Sequence, residues 1–121
     1  MDEQKFRASI VWFIVNGKTE KALELLAEHY GVDVPEVRVG LPKGHKAKTL
    51  GCYVAKDKTI TVLNSDVLKE PFVVLHEFYH YIRTGLDSKH RGTERHANRF
   101  AKEFIDAYRA SSQDSVVGNG I

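Results

Sequence analysis

Cysteine is almost missing from this 121-residue chain. Cys52 stands alone, so no internal disulfide can form and the disulfide framework of small secreted domains is excluded. A lone thiol suits a reducing compartment, and the cytoplasm is the expected location. Within an apparent strand, Cys52 reads as a core residue before it reads as a nucleophile. Long hydrophobic runs are missing as well. The longest, Ile10 to Val15, falls far short of the roughly 20 apolar residues of a spanning helix, and acidic Asp2 and Glu3 stand where an export signal would be basic. The expectation is a soluble chain with no membrane partner. Nor is charge of one sign in excess: a formal net charge of +2 with 28% charged residues is too slight to argue for nucleic acid as a partner. What is present suffices for one modest core, since 42% of the residues are hydrophobic and the length suits a single domain.

The hydrophobic pattern divides the chain. Phe6, Ile10 and Phe13 recur at helical spacing, and although the unbroken run to Val15 also suits a buried strand, a helix is favoured; Asn16-Gly17 ends it either way. Thr19 reads as the N-cap of a second helix whose face is Leu23, Leu26, Ala27 and Tyr30, terminated by Gly31. Val37 and Val39 alternate as in a short strand. A Pro/Gly-containing loop from Leu41 to Lys48 leads to two β-rich runs, Leu50 to Ala55 and Thr59 to Leu63, with Lys56-Asp57-Lys58 at a hairpin tip. Pro71 opens a helix that lasts to Thr84 before Gly85, and after a polar loop Thr93 caps a last helix of some four turns. From Ser111 to Ile121 periodicity fades, which marks a mobile tail. Its apolar Val116, Val117 and Ile121 also raise a fold-back over a cleft.

Residues 76 to 80 read His76-Glu77-Phe78-Tyr79-His80, a His-Glu-x-x-His arrangement inside a helix already indicated by periodicity. Residues four apart stack on one helix face, so both imidazoles can reach one metal ion while Glu77 flanks it as a general base. On a helical wheel Phe72, Val74, Leu75, Phe78, Tyr79, Tyr81 and Ile82 fill one arc, and His76, Glu77, His80 and Arg83 share the opposite one. The plain alternative is a solvated polar face. A third ligand is expected from the next helix, whose apolar stripe is Ala97, Phe100, Ala101, Phe104, Ile105 and Tyr108. Glu94 falls within that stripe beside Asn98, and a carboxylate aimed at a core calls for a positive partner such as Zn2+. His96, two residues on, falls on the far side with Arg95, Arg99, Lys102 and Glu103. Asn98, one turn after Glu94, could accept the outer ring proton of a ligand histidine.

With the run Thr93-Glu94-Arg95-His96-Ala97-Asn98-Arg99-Phe100-Ala101 following that helix, the chain resembles the ImmA/IrrE family of gluzincin metallopeptidases and their compact relatives, the minigluzincins. Those proteins carry Glu-x-x-Ala-Asn/Asp-x-Phe-Ala after the metal helix. The stretch Gly51-Cys52-Tyr53 to Ile60-Thr61-Val62-Leu63-Asn64 is similar to their upstream hairpin, so the likeness covers roughly residues 20 to 108. The resemblance implies a small zincin-like α+β domain over residues 1–110. Its short sheet, a hairpin plus one strand, would pack on the His-Glu-x-x-His helix and a following ligand helix. It also implies one zinc ion on His76, His80 and Glu94, with Glu77 as catalytic base. The chain departs from many relatives at His96, where they have a second acidic residue, and it offers no counterpart of the substrate-sensing domain of longer members.

The expected activity is therefore hydrolysis of a peptide or protein substrate by metal-activated water. His90, Arg91 and Tyr53 are candidate donors to the oxyanion, and the sequence does not choose among them. An edge strand of the hairpin could align an extended substrate through its backbone. Two rivals stand beside this reading. One is a catalytically silent, zinc-stabilised binding or regulatory module, in which Lys43-Gly44-His45-Lys46-Ala47-Lys48 contacts phosphate or an acidic partner; the other is a metal-free helical protein. The intact Glu77 favours the enzyme, because a structural site needs no base next to its ligands.

Overall fold

The computed structural model describes residues 2–41, 49–84 and 93–119, with the side chains of the last stretch described from Glu94 to Ser111. Among these residues the fold is α+β. Helices α1 (Glu3–Val15) and α2 (Thr19–Tyr30) precede strands β1 (Glu36–Val39), β2 (Gly51–Val54) and β3 (Thr59–Val62), and helices α3 (Pro71–Thr84) and α4 (Thr93–Asn119) follow. No described helix is long and apolar enough to cross a membrane.

The run to Val15 is helical, as its spacing indicated. Asp2 caps α1 by accepting the backbone N–H of Lys5 at 2.8 Å, and Ile10, Val11 and Ile14 are buried on one side. Thr19 is not the cap of α2 but its first helical residue; Lys18 occupies the cap position without a side-chain bond. The Thr19 hydroxyl instead donates to the carbonyl of Leu68, tying α2 to the turn that precedes α3. Gly31 ends α2 in the left-handed region at φ 67°, a conformation that costs glycine little.

The sheet order is β1-β3-β2. β3 pairs in parallel with β1 and antiparallel with β2, with Cys52 opposite Thr61 and Tyr53 opposite Ile60. The hairpin expected from the two β-rich runs is present. Its tip is a short 3-10 turn, Ala55–Asp57, closed by Lys58 at φ 52°. Ile60 and Val62 are wholly buried and share a core with Phe78, Leu75 and Phe104, so this face of the sheet looks onto α3. Gly51 lies on that face, opposite Val62.

The contact of β2 with α3 depends on Gly51 having no side chain. A Cβ there would lie 2.7 Å from Cγ1 of Val73 and 3.6 Å from Cγ of Glu77. On its other flank α3 meets α4, where Ala97 and Ala101 are fully buried and let the two helices approach closely.

Helix α4 extends well past the four turns expected from sequence, through 27 residues to Asn119. The segment from Ser111 is polar but carries no proline, and no glycine before Gly118, so nothing in it breaks the helix. Rising 1.5 Å per residue, the helix carries positions 111 to 119 roughly 25 to 38 Å along its axis from Glu94. That direction leads away from a fold-back over the cleft. The Lys43 to Lys48 stretch and the loop holding His90 and Arg91 lie outside the described residues, as does the side chain of Thr93 that was read as a cap.

Gly51→Ala is expected to destabilise the fold by about 1–3 kcal/mol through overpacking against Val73. Chemical denaturation of the single variant and of Gly51→Ala/Val73→Ala checks the cause, because the second truncation should return part of the loss.

Candidate metal and catalytic site

One turn of α3 carries His76, Glu77 and His80, and the start of α4 carries Glu94. The two imidazoles turn their Nε2 atoms toward each other, 3.1 Å apart. Glu94 reaches both, with Oε2 3.2 Å from Nε2 of His76 and Oε1 2.6 Å from Nε2 of His80. A tetrahedral ion with bonds near 2.05 Å would hold its donors roughly 3.3 Å apart. Two of the three separations match that spacing closely, and the third is the length of a charge-assisted hydrogen bond. Two imidazole nitrogens and a carboxylate oxygen converging in this way could hold a metal ion. The mixed donor set suits a divalent transition ion, zinc among them, better than it suits calcium or magnesium with their oxygen shells.

Within the polar arc of α3 the metal-site residues do not form the solvated face of the plain alternative, although Arg83 at its far end is exposed. His76 and Glu77 are 9% and 8% exposed, covered by β2 and by the start of α4. Phe72 departs from the apolar arc in the other direction and is 43% exposed. It sits in the first turn of α3, beside a surface depression shared with Asn98 and Arg99.

Glu94 is brought to the histidines as expected, but by a different route. Its side chain is 77% exposed, not aimed into the core. At the N-terminal end of α4 it reaches in from the rim. His96 is exposed and belongs neither to the cleft lining nor to the converging donors, as the wheel indicated. Asn98 is exposed too, and the buried Nδ1 of His76 has no hydrogen-bond partner among the described residues. Asn98 therefore does not hold that ring. Asn98 lines the outer groove with Phe72 and Arg99.

Glu77 has a strongly perturbed environment. Burial, and then the neighbouring Glu94 carboxylate, raise its carboxyl to about 7, while a hydrogen bond from the backbone of Tyr53 opposes them. That bond could not be read from the sequence, because it comes from the main chain of a strand whose approach is set by Gly51. Tyr53 lines the cleft together with Gly51, Ala55, Thr84, the histidines and both glutamates. Its ring packs edge-on against Tyr81 at 5.8 Å. Burial, and secondarily Tyr81, raise its phenol above the ordinary value, which keeps it protonated and able to donate.

Comparison with family profiles, with curated proteins and with solved structures finds no match to this chain.

The raised carboxyl has a consequence for the metal-free protein. The folded value of Glu77 lies near 7 against 4.5 for a free carboxyl, so proton binding favours the folded state. The resulting cost of ionisation is absent at acid pH, grows as pH rises from about 4.5 to 7, and is constant above, at roughly 3 kcal/mol. Glu77→Gln removes it. In the presence of chelator the variant is expected to melt above the wild type at pH 8 and to lose that advantage by pH 4; a pH series of thermal melts measures both.

Proposed function

We propose that this chain is a zinc-dependent metallopeptidase of zincin-like fold, related to the gluzincins that its motifs resemble. The observation that carries the reading is the convergence of His76, His80 and Glu94 beside the buried carboxylate of Glu77. A metal site that served only stability would gain nothing from a carboxylate held at the edge of its donors. The lone cysteine agrees with a cytoplasmic enzyme.

His76, His80 and Glu94 would hold one zinc ion. When bound, zinc supplies a Lewis acid that lowers the pKa of water toward neutrality and polarises a carbonyl. Glu77 accepts the proton of the attacking water and later delivers it to the leaving amine. Its burial beside the donors places the Glu77 carboxyl within reach of both transfers. The hydrogen bond from the backbone of Tyr53 helps to hold the Glu77 carboxylate in place.

Tyr53 is the described candidate for donating to the oxyanion; His90 and Arg91 remain the alternatives from the sequence. β2 pairs only with β3 among the described residues. Its other edge borders the cleft, so an extended peptide could add to it through main-chain hydrogen bonds.

Three variants test the assignment together. Glu77→Gln should retain zinc, measured by metal analysis of the purified protein, and lose casein hydrolysis by a factor of 100 or more. Glu94→Ala should weaken zinc affinity at least tenfold in competition with a chromogenic chelator, because a donor is lost. His96→Ala should bind zinc as the wild type does. Normal affinity in Glu94→Ala, or wild-type hydrolysis in Glu77→Gln, would sink this reading; bound zinc without hydrolysis in the wild type would leave the silent regulatory module.

A further inference from the structure

A second cavity opens off the cleft. It encloses about 600 Å³, within the range of sites that take organic groups. Its walls are aromatic or aliphatic: Tyr30, Val32, Tyr53, Tyr81 and Ile82. Tyr81 donates its hydroxyl to the carbonyl of Asp33 at 2.6 Å, which fixes the ring and uses up its donor. Tyr53 leans on it edge-on, and Tyr30 is backed by Phe78 at 6.0 Å between ring centroids. The charged members are Asp33 and Lys58, one of each sign, so the cavity favours neither cations nor anions.

The cavity and the cleft are continuous, because Tyr53, Ala55 and Thr84 line both. Thr84 lies one helical turn beyond His80 and donates its hydroxyl to the His80 carbonyl at 2.6 Å. The cavity thus begins about 5–6 Å along α3 from a metal donor. An extended peptide advances about 3.3 Å per residue and alternates its side chains, so only one residue within two of the reacting bond can enter.

Resting on the metallopeptidase reading above, we infer that this cavity receives one large apolar or aromatic side chain of the bound peptide and sets the cleavage preference. The pinned Tyr81 and the ring of Tyr53 form a rigid slot, and a small side chain would leave it unfilled.

The test has two arms. In the first, the zinc-loaded chain digests a peptide library and the products are mapped by mass spectrometry. An aromatic or large aliphatic residue should recur at one fixed position within two residues of the cut, favoured at least tenfold in kcat/KM over alanine. Val32→Trp, checked for folding by circular dichroism, should remove that preference, bringing the ratio of kcat/KM for the aromatic over the alanine peptide to within about twofold of one. Cleavage without preference, or a preference unchanged in folded Val32→Trp, overturns the inference and leaves the peptidase reading intact. In the second arm, the metal-free wild type is titrated with N-acetylphenylalanine amide and followed by NMR. Shifts at the Val32 and Ile82 amides, not reproduced by N-acetylalanine amide, are expected. Their absence overturns the inference, whereas shifts without any peptide hydrolysis would remove the peptidase reading and keep the cavity.

Discussion

The close packing of α4 against α3 is the constraint from which the site follows. His76 and His80 lie on one helix by virtue of their four-residue spacing, but Glu94 belongs to another helix. Their meeting depends on the distance between the two axes. Ala97 and Ala101, both fully buried, set that distance by offering almost no side chain to hold the helices apart. A larger residue at either place would move the Glu94 carboxylate by more than the tolerance of a hydrogen bond. The core beneath, built on Phe78 and Phe104, fixes how the helices rotate against each other.

A second close approach acts on the other side of α3. Gly51 lets the backbone of β2 come down over Glu77, and this contact excludes water from the carboxylate and supplies it with a hydrogen bond from Tyr53. Desolvation and that bond pull the acidity of Glu77 in opposite directions, and the desolvation wins. The chemical character of the residue is thus a property of strand placement. A carboxylate at the same point of an uncovered α3 would be an ordinary surface acid.

Much of this arrangement was legible in the sequence, because it rests on periodicity. The hairpin, the four helices, the histidine pair and the outward turn of His96 all follow from spacing on a regular backbone. What was not legible depends on how elements meet. The burial of His76 and Glu77 comes from β2, which is distant in sequence; the rim position of Glu94 comes from its place at the first turn of α4, where a wheel cannot say how far the neighbouring core extends. Thr19 was misread for a similar reason: its hydroxyl is taken by Leu68 from across the fold. The extent of α4 past Ser111 was hidden because a largely polar segment carries no periodic signal, although it has no proline and no glycine before Gly118.

The exposure of Glu94 bears on exchange kinetics. Two of the three converging donors are fixed within the packed turn of α3, and the third is a single, largely exposed side chain on the solvent rim. An ion held there could therefore pass on the side of that one carboxylate with no opening of the core, while its exchange rate would be set by the two imidazole bonds that remain when the carboxylate swings away. Occupancy would then track the free metal concentration around the protein, so that the supply of the ion, more than the folding history of the chain, would govern how much of the population is loaded.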